Sequence, residues 1–323
     1  MRAFVKPAMA LSAVAIAAVA LAGCSGSGSS GSSDSGGGLT IGFINGSTDD
    51  FGVCLQNGVQ ETADAAGDTV KVLNSNHDAA EEVSNVQDMI DQGVDVIILQ
   101  SIDSDSLGTA VTDAADAGIP LFITSSVPDD PSAVLGVATS DIAGIGADAG
   151  GFVADDAAGA AVTVGIVAGA PGYYSDTEVG GFTGALPSTA TVVSTQPNYT
   201  FDQAGAQSAA ATILQTNPDV DYIFALTEVM AAGVATAVAD AGSDAKIVTV
   251  NGTDDGLAAV EDGTYAATVS NSAYELGQIA VTNSIALLAD PSDSSIDHIA
   301  TVPYLLITKD NIADATPYCS AAS

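Results

Sequence analysis

Tryptophan is absent from this 323-residue chain, aromatic residues make up 5% of it, and it holds three cysteines and two histidines. Each scarcity excludes something. A core with few rings must be built from Ala, Val, Ile and Leu, the residues of buried strands and closely packed helices; hydrophobic residues reach 47%. With His77 and His298 the only imidazoles, no Cys/His spacing suits zinc, and neither a Walker loop nor a dinucleotide fingerprint occurs. His77 sits in an "NHD" turn ahead of a helix and His298 in a late connection, where capping and solvation explain them better than catalysis. Acidic pairs such as Asp49–Asp50 and Asp254–Asp255 read as solvated turns rather than calcium ligands. Neither an enzyme nor a cofactor or metal is expected.

Positive charge is just as scarce. Arg2 and Lys6 precede an apolar segment, which leaves Lys71, Lys246 and Lys309 against 40 acidic residues, a net −37 beyond Cys24. Such a surface repels nucleic acid, whose binding needs Lys and Arg to neutralise phosphates. It favours solubility and suits salty surroundings, although a compositional habit of the source would look the same.

What is present begins at the amino terminus. Arg2 and Lys6, fifteen mostly apolar residues from Ala8 to Ala22 and then small residues have the order of an export signal, and the apolar run is too short to span a bilayer. "LAGC" resembles the lipobox of bacterial lipoproteins, which implies cleavage before Cys24, a signal peptide over 1–23 and lipid attachment at Cys24. An ordinary secretory signal with an incidental cysteine is the alternative. The Gly/Ser-rich residues of 24–38 then read as a flexible tether with a reach of about 20 Å, holding the body off the outer face of the cytoplasmic membrane. Cys54 and Cys319 remain; in an exported chain an even remainder suggests a disulfide, with two free buried thiols as the alternative.

From Leu39 the chain alternates short apolar runs with helical stretches. "LTIGFI", "TVKVLN", "VDVIIL" and "IPLFIT" read as strands, and Ala79, Val83, Val86 and Ile90 fall on one face of a helix that Asp78 can cap. The rhythm resumes after Asp141 with strands at "AVTVGIVA", "ATVVSTQ", "DYIFAL", "KIVTV" and "YAATVS". Alternation of this kind demands right-handed crossovers and a parallel sheet, and the length exceeds one such sheet. The expected class is α/β, two doubly wound parallel-sheet lobes, with ligands at the carboxyl ends of the strands.

At those ends the sequence becomes specific. "NSNHDAAEEVSNVQDMIDQGVDVIILQSIDSDSLGTAVTDAADAGIP", "ATSDIAGIGADAGGFV", "NPDVDYIFALTEVMAAGVATAVADAG", "KIVTVNGTDDGLAAVEDGTYAATVS" and "LLITKDNI" together resemble the simple-sugar (ribose-type) substrate-binding proteins of ABC importers, type I periplasmic binding proteins. The resemblance runs from Leu39 to Ile312. It implies two lobes joined by a three-strand hinge, 39–138 plus 272–302 and 139–271 plus 303–323, that close on a ligand and present it to a membrane permease as a monomer.

The resemblance also implies a set of ligand residues. Asp49 stands for a polar contact and Phe51 for a stacking ring in "DDFG"; Ser125 and Ser126 replace the family's Asp–Arg pair; Glu178 replaces an Arg; and Phe201 offers a second ring. Thr227 falls where an Asn is common, Asn251 where an Asp is common, and Asn271 at a Gln position. Rings would cover the C–H faces of a sugar while amides and carboxylates hold its hydroxyl edges. With both arginines gone, a carboxylate or phosphate would be desolvated unpaired, so the expected ligand is neutral or cationic: a sugar, polyol, nucleoside or amine. The same lobes could instead present a ligand to a membrane receptor as a sensor.

Overall fold

Strand and helix faces sort the apolar residues of the first lobe by the period of each element. The computed structural model describes residues 38–102 and 104–319; the expected signal peptide, Cys24 and nearly all of the tether lie outside the described residues. Here β1 (Thr40–Asn45), β3 (Val96–Gln100) and β4 (Leu121–Thr124) are buried almost end to end, as strands covered on both faces must be. Ile41, Phe43, Val96, Ile98 and Phe122 face α1 (Asp50–Ala66) and α9 (Ala273–Ala289). Their alternates Ile44, Ile97, Leu99, Leu121 and Ile123 face α2 (Ala79–Asp91) and α3 (Ser104–Ala117). With β2 (Thr69–Asn74), β5 (Gly136–Ser140) and β11 (Ile299–Val302), the described strands form an all-parallel sheet in the order β11-β5-β4-β3-β1-β2.

The second lobe repeats the plan with β6 (Val162–Ala168), β7 (Ala190–Pro197), β8 (Tyr222–Ala225), β9 (Lys246–Asn251), β10 (Ala267–Asn271) and β12 (Tyr304–Ile307), ordered β12-β10-β9-β8-β6-β7. Around it lie α4 (Ile142–Ala157), α5 (Tyr173–Ala185), α6 (Gln203–Thr216), α7 (Glu228–Ala241) and α8 (Asp254–Asp262). Glycine permits the close helix packing here. A Cβ on Gly146 would meet the carbonyl oxygen of Glu178 at 2.2 Å, so only glycine lets α4 lie this close to α5. Phe182 from α5 stacks on Phe224 from β8, centroids 4.1 Å apart, in the middle of this core.

Four features differ from the sequence reading. The lobes were expected to be parallel throughout, but β12 pairs antiparallel with β10. The reason is geometric: β11 ends at the face between the lobes, and only Pro303 separates it from β12, so the chain runs straight on and away from the carboxyl end of β10. The buried face of α2 is centred on Glu82, Asn85, Val86 and Met89, rotated from the apolar face expected, because Glu82 and Asn85 are held by loop partners. The tail, assigned wholly to the second lobe with 303–323, divides: Ile312 packs on the second core, whereas Tyr318 and Cys319 pack against Cys54 and Ala273 of the first lobe. The boundary expected at 138 also moves, since β5 continues to Ser140.

Candidate functional site

Eleven of the described strands run parallel, so their carboxyl ends collect on the facing sides of the two lobes. Several of the sequence-identified residues occur there in costly conformations. Ser125 after β4 (φ 71°), Phe201 before α6 (φ 52°) and Asn251 at the end of β9 (φ 137°) are among the six non-glycine residues with positive φ in the described part of the chain. Such backbone persists only where its surroundings over-determine it, and it concentrates at ligand sites.

The surroundings are visible. The Asn251 amide is held at both ends: Oδ1 accepts from the Glu228 amide at 3.2 Å, and Nδ2 lies 3.4 Å from the Tyr318 hydroxyl. Phe201 packs on the second core beside Gly169, where a Cβ would strike its ring at 2.2 Å, and tilts against Tyr174 with centroids 6.3 Å apart. Asn271 is 8% exposed at the hinge, its Nδ2 3.5 Å from Ser140 Oγ on the neighbouring crossing.

Glu178 is the unusual group. It is 1% exposed, and burial pushes its carboxyl up to about 8, only partly opposed by a hydrogen bond from the Tyr174 hydroxyl. At neutral pH it is therefore mostly a protonated acid, able to donate as well as accept. Its Oε1 has no partner.

That last property is shared. Among the described residues, the buried side-chain atoms without a hydrogen-bond partner are Asn45 Oδ1, Thr62 Oγ1, Asn74 Oδ1, Ser125 Oγ, Ser126 Oγ, Glu178 Oε1 and Asn271 Oδ1. All but Thr62 and Glu178 lie at or just past the carboxyl end of a strand, and Glu178 lies in the helix that follows β6. Unpaired buried polar atoms cost about 1–3 kcal/mol each, so a group of them on one side of the fold makes that side the candidate site.

Other candidates have local duties. Asp49 caps α1, accepting from the Gly52 amide at 3.0 Å and from Ser47 Oγ at 2.7 Å, with His77 Nε2 3.8 Å from its other oxygen. Thr227 caps α7 through the Met230 amide. Phe51 is half-buried against the cluster of Cys54, Ala273 and Tyr318 instead of standing free. No hydrogen bond joins the Ser125 or Ser126 hydroxyl to the other candidates.

Sequence reasoning missed Glu228, Tyr318 and Asn45. Glu228 is 6% exposed; its carboxylate accepts from the Gly252 and Thr253 amides and from Thr268 Oγ1, at 2.9, 2.8 and 2.7 Å. Burial raises its pKa against the pull of these bonds. Asn45 Nδ2 donates to the Gly52 carbonyl and ties β1 to α1. The signal available was weak: a Glu right after a helix cap, and an Asn ending an apolar run.

Two doubly wound lobes with polar strand ends between them have the architecture of the two-lobed solute-binding proteins. The family model described as "Periplasmic binding protein domain" matches residues 41–291. The ribose import binding protein of Escherichia coli K12 is 33% identical over 230 residues, 70% of this chain and 77% of that one. The xylitol-binding protein of Mycolicibacterium smegmatis is 30% identical over 245 residues, 74% of this chain and 68% of that one. Among solved structures, an ABC transporter solute-binding protein from Mycobacterium smegmatis with bound glycerol superposes with a TM-score of 0.80 at 23% identity, covering 89% of this chain and all of that one. The chain belongs to the periplasmic binding protein family, in its type I branch of ABC-importer substrate-binding proteins, which are extracytoplasmic.

Proposed function

We propose that this protein captures a neutral sugar or polyol between its lobes and delivers it to a membrane permease, anchored through lipid on Cys24 at the outer face of the cytoplasmic membrane. The observation that carries this reading is the set of unpartnered buried atoms on Ser125, Ser126, Glu178 and Asn271, four positions that the family resemblance names as ligand contacts. These atoms offer hydroxyl, acid and amide-carbonyl chemistry and no cation, which suits hydroxyl groups that both donate and accept. A largely protonated Glu178 adds a donor without adding charge. The relatives named for ribose and xylitol and the neighbour holding glycerol bind uncharged hydroxyl compounds, in keeping with this chemistry.

A thermal-shift screen of the exported chain against sugars, polyols, nucleosides, amines, sugar acids and sugar phosphates tests it. At a hundred times its dissociation constant, a true ligand adds about 2.7 kcal/mol. A neutral sugar or polyol giving that shift supports the reading, and submicromolar binding of a sugar acid or sugar phosphate overturns it. Mass analysis of the amino terminus of membrane-extracted protein checks the anchor, which requires an acylated Cys24.

A further inference from the structure

The carboxyl-terminal tail lies beyond the matched family segment and takes a course of its own. From the short turn Ile312–Asp314, whose isoleucine packs on the second core, it turns back along the crossing made by residues 270–274. Ser270 Oγ donates to the Thr316 carbonyl at 3.2 Å, Ser272 Oγ to the Pro317 carbonyl at 2.6 Å, and the Tyr274 amide to the Tyr318 carbonyl at 3.1 Å. Cys319 then closes a disulfide with Cys54 on α1. The tail is thus a fourth connection between the lobes: continuous with β12 in the second, and covalently fixed to the first.

The side chain just before that bond points at the candidate site. Tyr318 is 6% exposed, packs among Phe51, Cys54 and Ala273, and sets its hydroxyl 3.4 Å from Asn251 Nδ2. The ring is anchored on the first lobe and the amide belongs to the second, so this contact spans them. Because Glu228 holds the other end of the same amide, Tyr318 completes the orientation of Asn251. One Nδ2 hydrogen and one Oδ1 lone pair then remain, a donor and an acceptor side by side, as two adjacent hydroxyls require.

We propose that Tyr318 is a positioning residue for Asn251, and that the Cys54–Cys319 bond is the device that keeps it there. The part concerning affinity rests on the reading of the cleft as a sugar or polyol site; the part concerning placement does not.

The test has two arms, both on the exported chain. In the first, the dissociation constant is measured for whichever of ribose, xylitol, arabinose, allose and glycerol gives the largest thermal shift. Tyr318→Phe, which removes only the hydroxyl, is expected to weaken binding about fivefold while the melting temperature of the free protein stays close to wild type. Cys319→Ser is expected to weaken it at least as much. Dithiothreitol, which becomes a cyclic disulfide as it reduces Cys54 and Cys319 to thiols, should reproduce that loss in wild type and leave Cys319→Ser unaltered. Unchanged affinity in Tyr318→Phe and after reduction overturns the proposal.

The second arm needs no ligand. Hydrogen exchange of reduced and oxidised protein should show faster exchange after reduction in residues 251–253 and in the first turn of α1. Equal protection in both forms overturns the placement role. If no sugar or polyol of the wider screen shifts the melting temperature, the sugar or polyol reading fails, and the exchange arm still decides whether the tail holds Asn251.

Discussion

Glu228 on α7 holds the backbone of Gly252 and Thr253 after β9, and Glu82 on α2 holds the backbone of Ile102 after β3 at 2.9 Å. In each lobe a buried glutamate on one helix grips the loop that follows the next strand. Glu82 also accepts from Ser106 Oγ at 2.7 Å. These loops contribute to the facing side of the fold, so the two carboxylates act as braces for it. Removing one leaves several buried donors unpaired at once.

Glu228→Ala should therefore cost about 3 kcal/mol of stability, and Glu228→Gln about half as much, since the amide keeps one acceptor oxygen. Urea unfolding checks both values. A cost below about 0.5 kcal/mol for Glu228→Ala would show that water replaces the carboxylate and that the loop stands without it.

Glu178 makes stability depend on pH in a stated direction. Its folded pKa, about 8, lies above the ordinary carboxylate value of 4.5, so the folded state holds the proton more tightly than the unfolded chain does. Its contribution is complete below pH 4.5 and is lost as pH rises toward 8, by roughly 5 kcal/mol at most. Tyr174 is the titratable partner that hydrogen-bonds it, and it remains neutral through this window. Glu178→Gln, which cannot ionise, should be close to wild type at pH 5 and clearly more stable at pH 8. Parallel pH profiles for the two proteins would mean that Glu178 is solvated.

Much of this was legible in the sequence. The β–α alternation and the buried runs of β1, β3 and β4 follow from apolar periodicity, and the Asp78 cap from one residue type at one position. The parts that were not legible share a cause. Neither β5 nor β12 stood out, because "GVATS" and "YLLI" are short and their pairing is set by partners far along the chain. Glu82 and Glu228 were read with the acidic surface, since glutamate is seldom fully buried unless something pairs it, and those partners lie 20 to 40 residues away. Tyr318 was invisible for the same reason: its ring reaches Asn251 through partners far along the chain, hydrogen bonds from residues 270–274 and the bond of its neighbour Cys319 to Cys54, 265 residues earlier.

Ser125 offers a trade between stability and binding. Its φ of 71° is unfavourable for a residue with a Cβ, and its hydroxyl is buried with no partner. Ser125→Gly relieves both penalties and should raise stability by about 0.5–1 kcal/mol. The same change removes a hydroxyl from the candidate site, so affinity for the ligand found in the screen should fall. A variant that gains stability and binds unchanged would remove Ser125 from the ligand set.

The acidic surface predicts how the protein responds to salt. Lys246 pairs with Asp156 at 2.5 Å, and Asp156 also accepts from the Tyr222 hydroxyl. This is the lysine ion pair among the described residues, and half of the Lys246 side chain is exposed, so it contributes at most about 1 kcal/mol. Against it stands the mutual repulsion of the excess carboxylates in a chain of net charge −35. The screening length falls from about 10 Å at 0.1 M salt to 3 Å at 1 M, which weakens the many repulsions more than the one close attraction. The melting temperature should therefore rise by several degrees between 0.05 and 1 M KCl. Lys246→Met should lower it at low salt and leave the upward trend intact. A melting temperature that falls with KCl would show that local ion pairs outweigh the net charge.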